Sequence, residues 1–105
     1  MFVILWEYEV KPGSKNRFQE AYGPDGAWVR LFEHDVHFRG TQLQRDPTRP
    51  LFYFTIDFWD SESAYTKFLA EHKAFYAKLD SDLAELTVRE RRVVSFHFEP
   101  SAASC

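Results

Sequence analysis

The chain contains one cysteine, Cys105, at its last position. No disulfide can form within it, so packing alone must hold the fold and a reducing compartment suits it. Basic excess is also missing: the net charge is −3. Nucleic acid and anionic membrane are therefore poor partners. The densest basic run, Arg89, Arg91 and Arg92, is broken by Glu90 and reads as a solvated or interface strand face. No apolar run approaches the roughly 20 residues that span a bilayer. Nothing before Phe2 resembles a basic leader with a cleavage site, and the expected location is cytoplasmic. Nucleophile elbow, phosphate loop, dinucleotide fingerprint and zinc motif are all lacking, which leaves an expectation of no cofactor and no metal. Glycine and proline are few, four and five, and they sit where the hydrophobic pattern breaks.

What is abundant is aromatic side chain. Eleven Phe, five Tyr and three Trp make up 18% of 105 residues. A chain of this length builds one domain with a limited core. Some of these rings are therefore expected to line a ligand cavity or a subunit contact.

The clearest pattern runs from Leu51 to Leu79. Phe52, Phe54, Ile56 and Phe58 alternate with Tyr53, Thr55, Asp57 and Trp59. One face of this strand is wholly apolar and the other mixed, which predicts a central strand covered on both sides. Asp60 or Ser61 then caps a helix, with Glu62 in its first turn. Tyr65, Phe68, Leu69, His72, Phe75, Tyr76 and Leu79 follow helical spacing, predicting one long amphipathic helix with His72 on its buried stripe.

The rest falls into place around it. Phe2 to Val10 alternates as a first strand, and Lys11-Pro12-Gly13-Ser14 breaks it, with Ser14 as a candidate cap. Ser14 to Tyr22 and Ala27 to Phe32 read as short helices split by Gly23-Pro24-Asp25-Gly26. Asp35 to Arg45 is a second strand, where Gly40 suggests a bulge or a close backbone approach. Val88 to Glu99 is the last strand, and residues 101–105 read as a disordered tail after a single domain over 1–100. The order β-α-β-β-α-β predicts an α+β ferredoxin-like sandwich with four antiparallel strands and helices on one face. The other face stays rich in apolar residues, so a homodimer is expected to cover it.

This order resembles the dimeric α+β barrel superfamily, as do Val10-Lys11-Pro12-Gly13 and Phe58-Trp59-Asp60-Ser61-Glu62-Ser63-Ala64-Tyr65. Within it the chain most resembles the antibiotic biosynthesis monooxygenase family. The resemblance implies a cofactor-independent monooxygenase acting on a small aromatic or quinone-like metabolite, in a pocket between sheet and helices. The haem-degrading branch carries an Asn in the first strand and a Trp and a His on the second long helix. Here Trp6 and Glu7 stand near the Asn position, Phe68 at the Trp position, and His72 falls too early, so haem degradation is set aside. Two alternatives stay open: a non-catalytic or stress-related dimer binding a small apolar ligand, and an isomerase on the same scaffold.

Oxygenase chemistry without a cofactor needs a base and a flat pocket that excludes water. His72 and His37 are the candidate bases. Trp28, Trp59, Tyr65 and Phe68 are candidate pocket walls, and Arg39 or Asp57 could orient an oxyanion or a histidine. Each has a plainer role: a histidine bonded to backbone, core aromatics, or Asp57 paired with an arginine of the last strand or of a partner subunit. His34 and His37, three apart beside Glu33 and Asp35, lack regular metal-ligand spacing. His97 is expected to be exposed or at the dimer contact.

Overall fold

Two β-rich segments with matched alternation meet at the centre of the sheet. In the computed structural model, which describes residues 1–98, β1 (Phe2–Val10) pairs antiparallel with β3 (Phe52–Trp59). Residues opposite each other share a face, so Phe2, Ile4, Trp6 and Tyr8 stand with Trp59, Asp57, Thr55 and Tyr53. β2 (Phe38–Arg45) lies outside β3 and β4 (Thr87–His97) outside β1, giving the order β2-β3-β1-β4. The expected antiparallel ferredoxin-like sheet is present. The expected tail, and the end of the last strand at Glu99, lie outside the described residues.

Helices cover one face only: α1 (Lys15–Tyr22), α2 (Ala27–Phe32), α3 (Glu62–Glu71) and α4 (Lys73–Leu83), followed by a short 3₁₀ turn over Ala84–Leu86. They cover the mixed face. Tyr53, Thr55, Asp57 and Trp59 are buried, whereas Phe52, Phe54, Ile56 and Phe58 are only half-buried. The strand is central in the sheet, as expected, and the helices cover one of its two faces. The wholly apolar face, continued by Val94 and Phe96 of β4, remains open.

The core under the helices is a web of rings. Phe18 stacks on Tyr22 at 4.3 Å and meets Tyr8 at 5.3 Å, while Phe32 contacts Trp59 and Phe68 at 5.5 and 5.6 Å. Such pairs add about 0.5–1.5 kcal/mol each beyond their buried area. The break between α1 and α2 depends on Gly26, where a Cβ would collide with the carbonyl oxygens of Glu20 and Ala21. That close approach turns the chain so that Trp28 points inward.

Two corrections concern boundaries. The second strand begins at Phe38, not Asp35, because residues 33–37 form turns off the end of α2, with His34 and Asp35 amides bonded to Leu31 and Phe32 carbonyls. The long helix is not continuous. His72, at φ −116° and ψ 26°, separates α3 from α4. Its ring N–H donates to the Phe68 carbonyl at 3.2 Å, which also accepts the His72 amide, and a side chain competing for the i−4 acceptor disturbs the ladder. Ser61, rather than Asp60, caps α3 by accepting from the Ala64 amide at 3.1 Å. Ser14 occupies the cap position of α1 without a side-chain bond.

Gly40 is a bulge. Its φ is +129°, and the register slips so that Phe38 faces Trp59 while Thr41, three residues later, faces Asp57. In unbroken alternation Phe38 and Thr41 would lie on opposite faces. The extra residue puts both under the helices. A Cβ at Gly40 would meet nothing within 4 Å, so the cost of Gly40→Ala is conformational, about 1–3 kcal/mol. Urea unfolding is expected to show that loss, and an unchanged midpoint would contradict the positive φ.

Candidate functional site

A cavity of about 30 Å³ lies between the covered sheet face and helices α2 and α4. It has room for one or two waters. Its walls are the rings of Trp6, Tyr22, Trp28, Phe32 and Tyr76, with the hydroxyls of Tyr8, Thr41 and Thr55 on its sheet side. Three carboxylates also face it: Asp57 from β3, Asp80 from α4 and Glu90 from β4.

Each group has a local reason for its place. Thr55 and Asp57 alternate onto the covered face of β3. The Gly40 bulge brings Thr41 opposite Asp57. Tyr76 and Asp80 are four apart on α4 and so share one helix face. In β4 a further register slip, opposite Leu5 and Trp6, places Glu90 across from Tyr8.

Asp57 is the chemical centre. It is buried, and its one hydrogen bond among the described residues comes from the Thr41 hydroxyl to Oδ1, at 2.7 Å. Burial pushes its pKa up to about 6, against the lowering effect of the Thr41 bond. Oδ2 has no partner. Beside it Tyr8 and Thr55 exchange a hydroxyl bond of 3.1 Å, and burial raises Tyr8 well above its ordinary value. Burial also lifts Tyr22 to about 12 and raises Glu90, the latter with help from the nearby charge of Asp80. Trp28 lines the cavity, and its indole N–H is buried beside the Tyr22 hydroxyl with no well-formed hydrogen bond among the described residues.

Only Trp28 and Asp57, of the residues singled out from sequence, line this cavity. Trp59 and Phe68 are fully buried core, and Tyr65 packs between Phe2 and Trp59. His72 lies outside it, half-buried, with its ring stacked on Phe68 at 4.3 Å and bonded to backbone. His37 and Arg39 are exposed and both bind Asp60, the imidazole at 3.0 Å and the guanidinium in bidentate fashion. His37 borders a separate open groove at the start of α3. Among the described residues no arginine of the last strand pairs with Asp57, contrary to that part of the expectation. His97 packs against Phe2 and approaches Glu62 at 3.5 Å. Thr41, Tyr8, Tyr76, Asp80 and Glu90 escaped sequence reasoning. Tyr76 and Asp80 carried a usable signal in their i, i+4 spacing, whereas Thr41 and Glu90 depend on strand slips.

Among the described residues, no three His, Cys, Asp or Glu side chains converge as a metal-binding set, and no helix is long and apolar enough to cross a membrane.

The raised pKa of Asp57 makes a stability claim. The unfolded carboxyl titrates near 3.9 and the folded one near 6, so the folded state holds the proton more tightly. Stability from this group is full below pH 4 and falls as pH rises through 6, by about 3 kcal/mol. Asp57→Asn keeps an acceptor for Thr41 and removes the charge. It is expected to stabilise the fold by about 2–3 kcal/mol at pH 8 and hardly at pH 4, as read by urea unfolding at both values. Destabilisation at pH 8 would instead indicate a cationic partner for Asp57.

Comparison with known proteins follows this geometry. The sequence profile of the family described as antibiotic biosynthesis monooxygenase matches residues 1–78. No curated protein gave a significant sequence match. Among solved structures, a variant of SnoaB, a cofactor-independent oxygenase from Streptomyces nogalater, superposes with a TM-score of 0.72 at 16% identity, covering 93% of this chain and 92% of that one. A protein from Bordetella bronchiseptica described as an antibiotic biosynthesis monooxygenase gives 0.73 at 17% identity, covering 93% and 96%. A conserved protein from Methanosarcina mazei Go1 gives 0.69 at 11% identity, covering 93% and 92%. These likenesses are likenesses of fold. With the profile match across most of its length, the chain belongs to the antibiotic biosynthesis monooxygenase family.

Proposed function

We propose that the protein is a cofactor-independent monooxygenase that oxidises a small aromatic or quinone-like metabolite. The observation that carries the reading is Asp57, a buried carboxylate with one free oxygen and a pKa of about 6, facing a cavity walled by aromatic rings. A general base works best with a pKa near the operating pH. Asp57 replaces His72 and His37 in this role, because neither histidine faces the cavity.

In the proposed reaction Asp57 Oδ2 takes the hydroxyl proton from the phenolic tautomer of a methylene compound R₂CH₂, whose conjugate base is a carbanion at that carbon. The carbanion gives one electron to dioxygen, and the radical pair joins as a peroxide on the same carbon. Loss of water leaves a carbonyl: R₂CH₂ + O₂ → R₂C=O + H₂O. The substrate supplies every electron. In this reading the buried Trp28 indole N–H would donate to the developing oxyanion once a bound substrate separates the Trp28 and Tyr76 rings. Trp28 and Tyr76 have centroids 4.9 Å apart, so a flat substrate must separate them. α4 is suited to move: none of its residues is fully buried, and the break at His72 uncouples it from α3.

Oxygen uptake with anthrones and hydroquinones tests this. Wild-type kcat/KM is expected to rise through pH 6 as Asp57 ionises, and Asp57→Asn to lower kcat by about 10²–10⁴. Equal uptake by wild type and Asp57→Asn would remove Asp57 as the base. Binding without uptake would favour the second reading, a ligand-binding protein, which the narrowness of the cavity supports.

We further propose a homodimer through the open apolar face. Phe54, Ile56, Phe58, Val94 and Phe96 form a patch larger than isolated surface hydrophobics require. Sedimentation is expected at about twice the 12.4 kDa chain mass, with Phe54→Glu shifting it toward the monomer. A monomeric wild type would overturn this.

A further inference from the structure

The cavity carries a charge pattern that the proposed oxidation does not use. Of its lining side chains, three are carboxylates and none is Lys, Arg or His. The nearest candidate cation on the same face is Arg92, opposite Trp6 on β4. Its guanidinium goes instead to Tyr65, 5.9 Å from the ring centre, and does not line the cavity. The acids also differ in depth. Asp57 is buried at the sheet, with Oδ2 unpartnered. Asp80 and Glu90 line the same cavity from α4 and β4; both residues are exposed overall, with the Glu90 carboxyl partly desolvated. The three do not converge as a metal set among the described residues.

A ligand must satisfy both levels. An anionic substituent would meet only carboxylates at Asp80 and Glu90, with no compensating cation. Ionised Asp57, or the substrate anion left when it takes a proton, holds a further negative charge deep in the same region. A protonated amine on the outer edge of the ring offsets both, and the rings of Tyr22, Trp28 and Tyr76 are surfaces that favour a cation. Resting on the site reading above, we propose that the cavity selects a phenolic ring bearing a protonated amine, with the hydroxyl donating to Asp57 Oδ2 and the ammonium held between Asp80 and Glu90. This assigns Asp80 and Glu90 as specificity residues.

Three phenols of similar size test the claim: tyramine, 4-ethylphenol and 3-(4-hydroxyphenyl)propanoate carry an ammonium, no charge and a carboxylate. Single rings suit the narrow cavity. Calorimetry gives affinity, and the three indole N–H resonances give location, because Trp6 and Trp28 line the cavity whereas Trp59 does not. Tyramine is expected to bind most tightly and the propanoate most weakly, on the order of tenfold or more apart, with the Trp6 and Trp28 signals shifting and Trp59 still. In Asp80→Asn, Glu90→Gln and the double variant that ratio is expected to fall toward one, and Asp80→Lys to reverse it. Binding at the cavity in wild type without this order, or an order that survives the double variant, would overturn the charge selection and leave the site standing. No shift of Trp6 or Trp28 with any probe would overturn the site reading and this inference together.

Discussion

The burial of Asp57 is the constraint around which the covered face is arranged. A carboxylate taken from water into an apolar site is tolerated through partners or through a raised pKa. Here one oxygen receives the Thr41 hydroxyl and the other receives nothing from the described residues. Thr41 can reach it only because the bulge at Arg39-Gly40 adds a residue, the unpaired Arg39, to β2. The bulge, the left-handed glycine and the half-satisfied acid therefore form one device. Its rigidity comes from the neighbouring rings, since Trp59 and Tyr53, on either side of Asp57 and Thr55 on the same face, are among the most deeply buried side chains.

Much of the fold could be read from alternation and helical spacing. The strands at Phe2–Val10 and Phe52–Trp59 needed only a period of two, and the glycine at position 40 announced its bulge. The helix break at His72 could not be read, because Leu69-Ala70-Glu71-His72-Lys73 contains no Pro or Gly. It comes from a ring turned back on its own i−4 carbonyl. Which strand face the helices would cover was equally hidden. Hydrophobicity alone favours burying Phe52, Phe54, Ile56 and Phe58, yet the helices took the face with Asp57 and Thr55.

The candidate site was less legible for the same reason. Histidine draws attention as the residue that titrates near neutrality, and His72 sat on the apolar stripe. Its ring is spent on backbone and on Phe68. Asp57 stood out as the lone acid in its strand, but an ion pair was the natural expectation. What distinguishes it is the absence, among the described residues, of an arginine pairing with it and the presence of a cavity, and both are properties of register. Arg89 and Arg91 fall on the opposite face, against Glu9 and Glu7.

These two faces divide the demands on a small domain. The covered face holds a carboxylate whose ionisation works against folding by about 3 kcal/mol near neutral pH, a sizeable share of the 5–15 kcal/mol that keeps a domain folded. The open face carries apolar surface that stabilises nothing while it faces water. Association through that face would couple folding to dimerisation and return stability on the side of the sheet away from the cavity. The two strands that present Asp57 and Trp6 inward present Phe54, Ile56 and Leu5 outward. Packing on the outer face therefore restrains the backbone that aims the inner one. Dimerisation through the open face would then offset the cost of keeping a half-satisfied acid in the core of so short a chain, and one alternating pattern would account for both the site and the assembly.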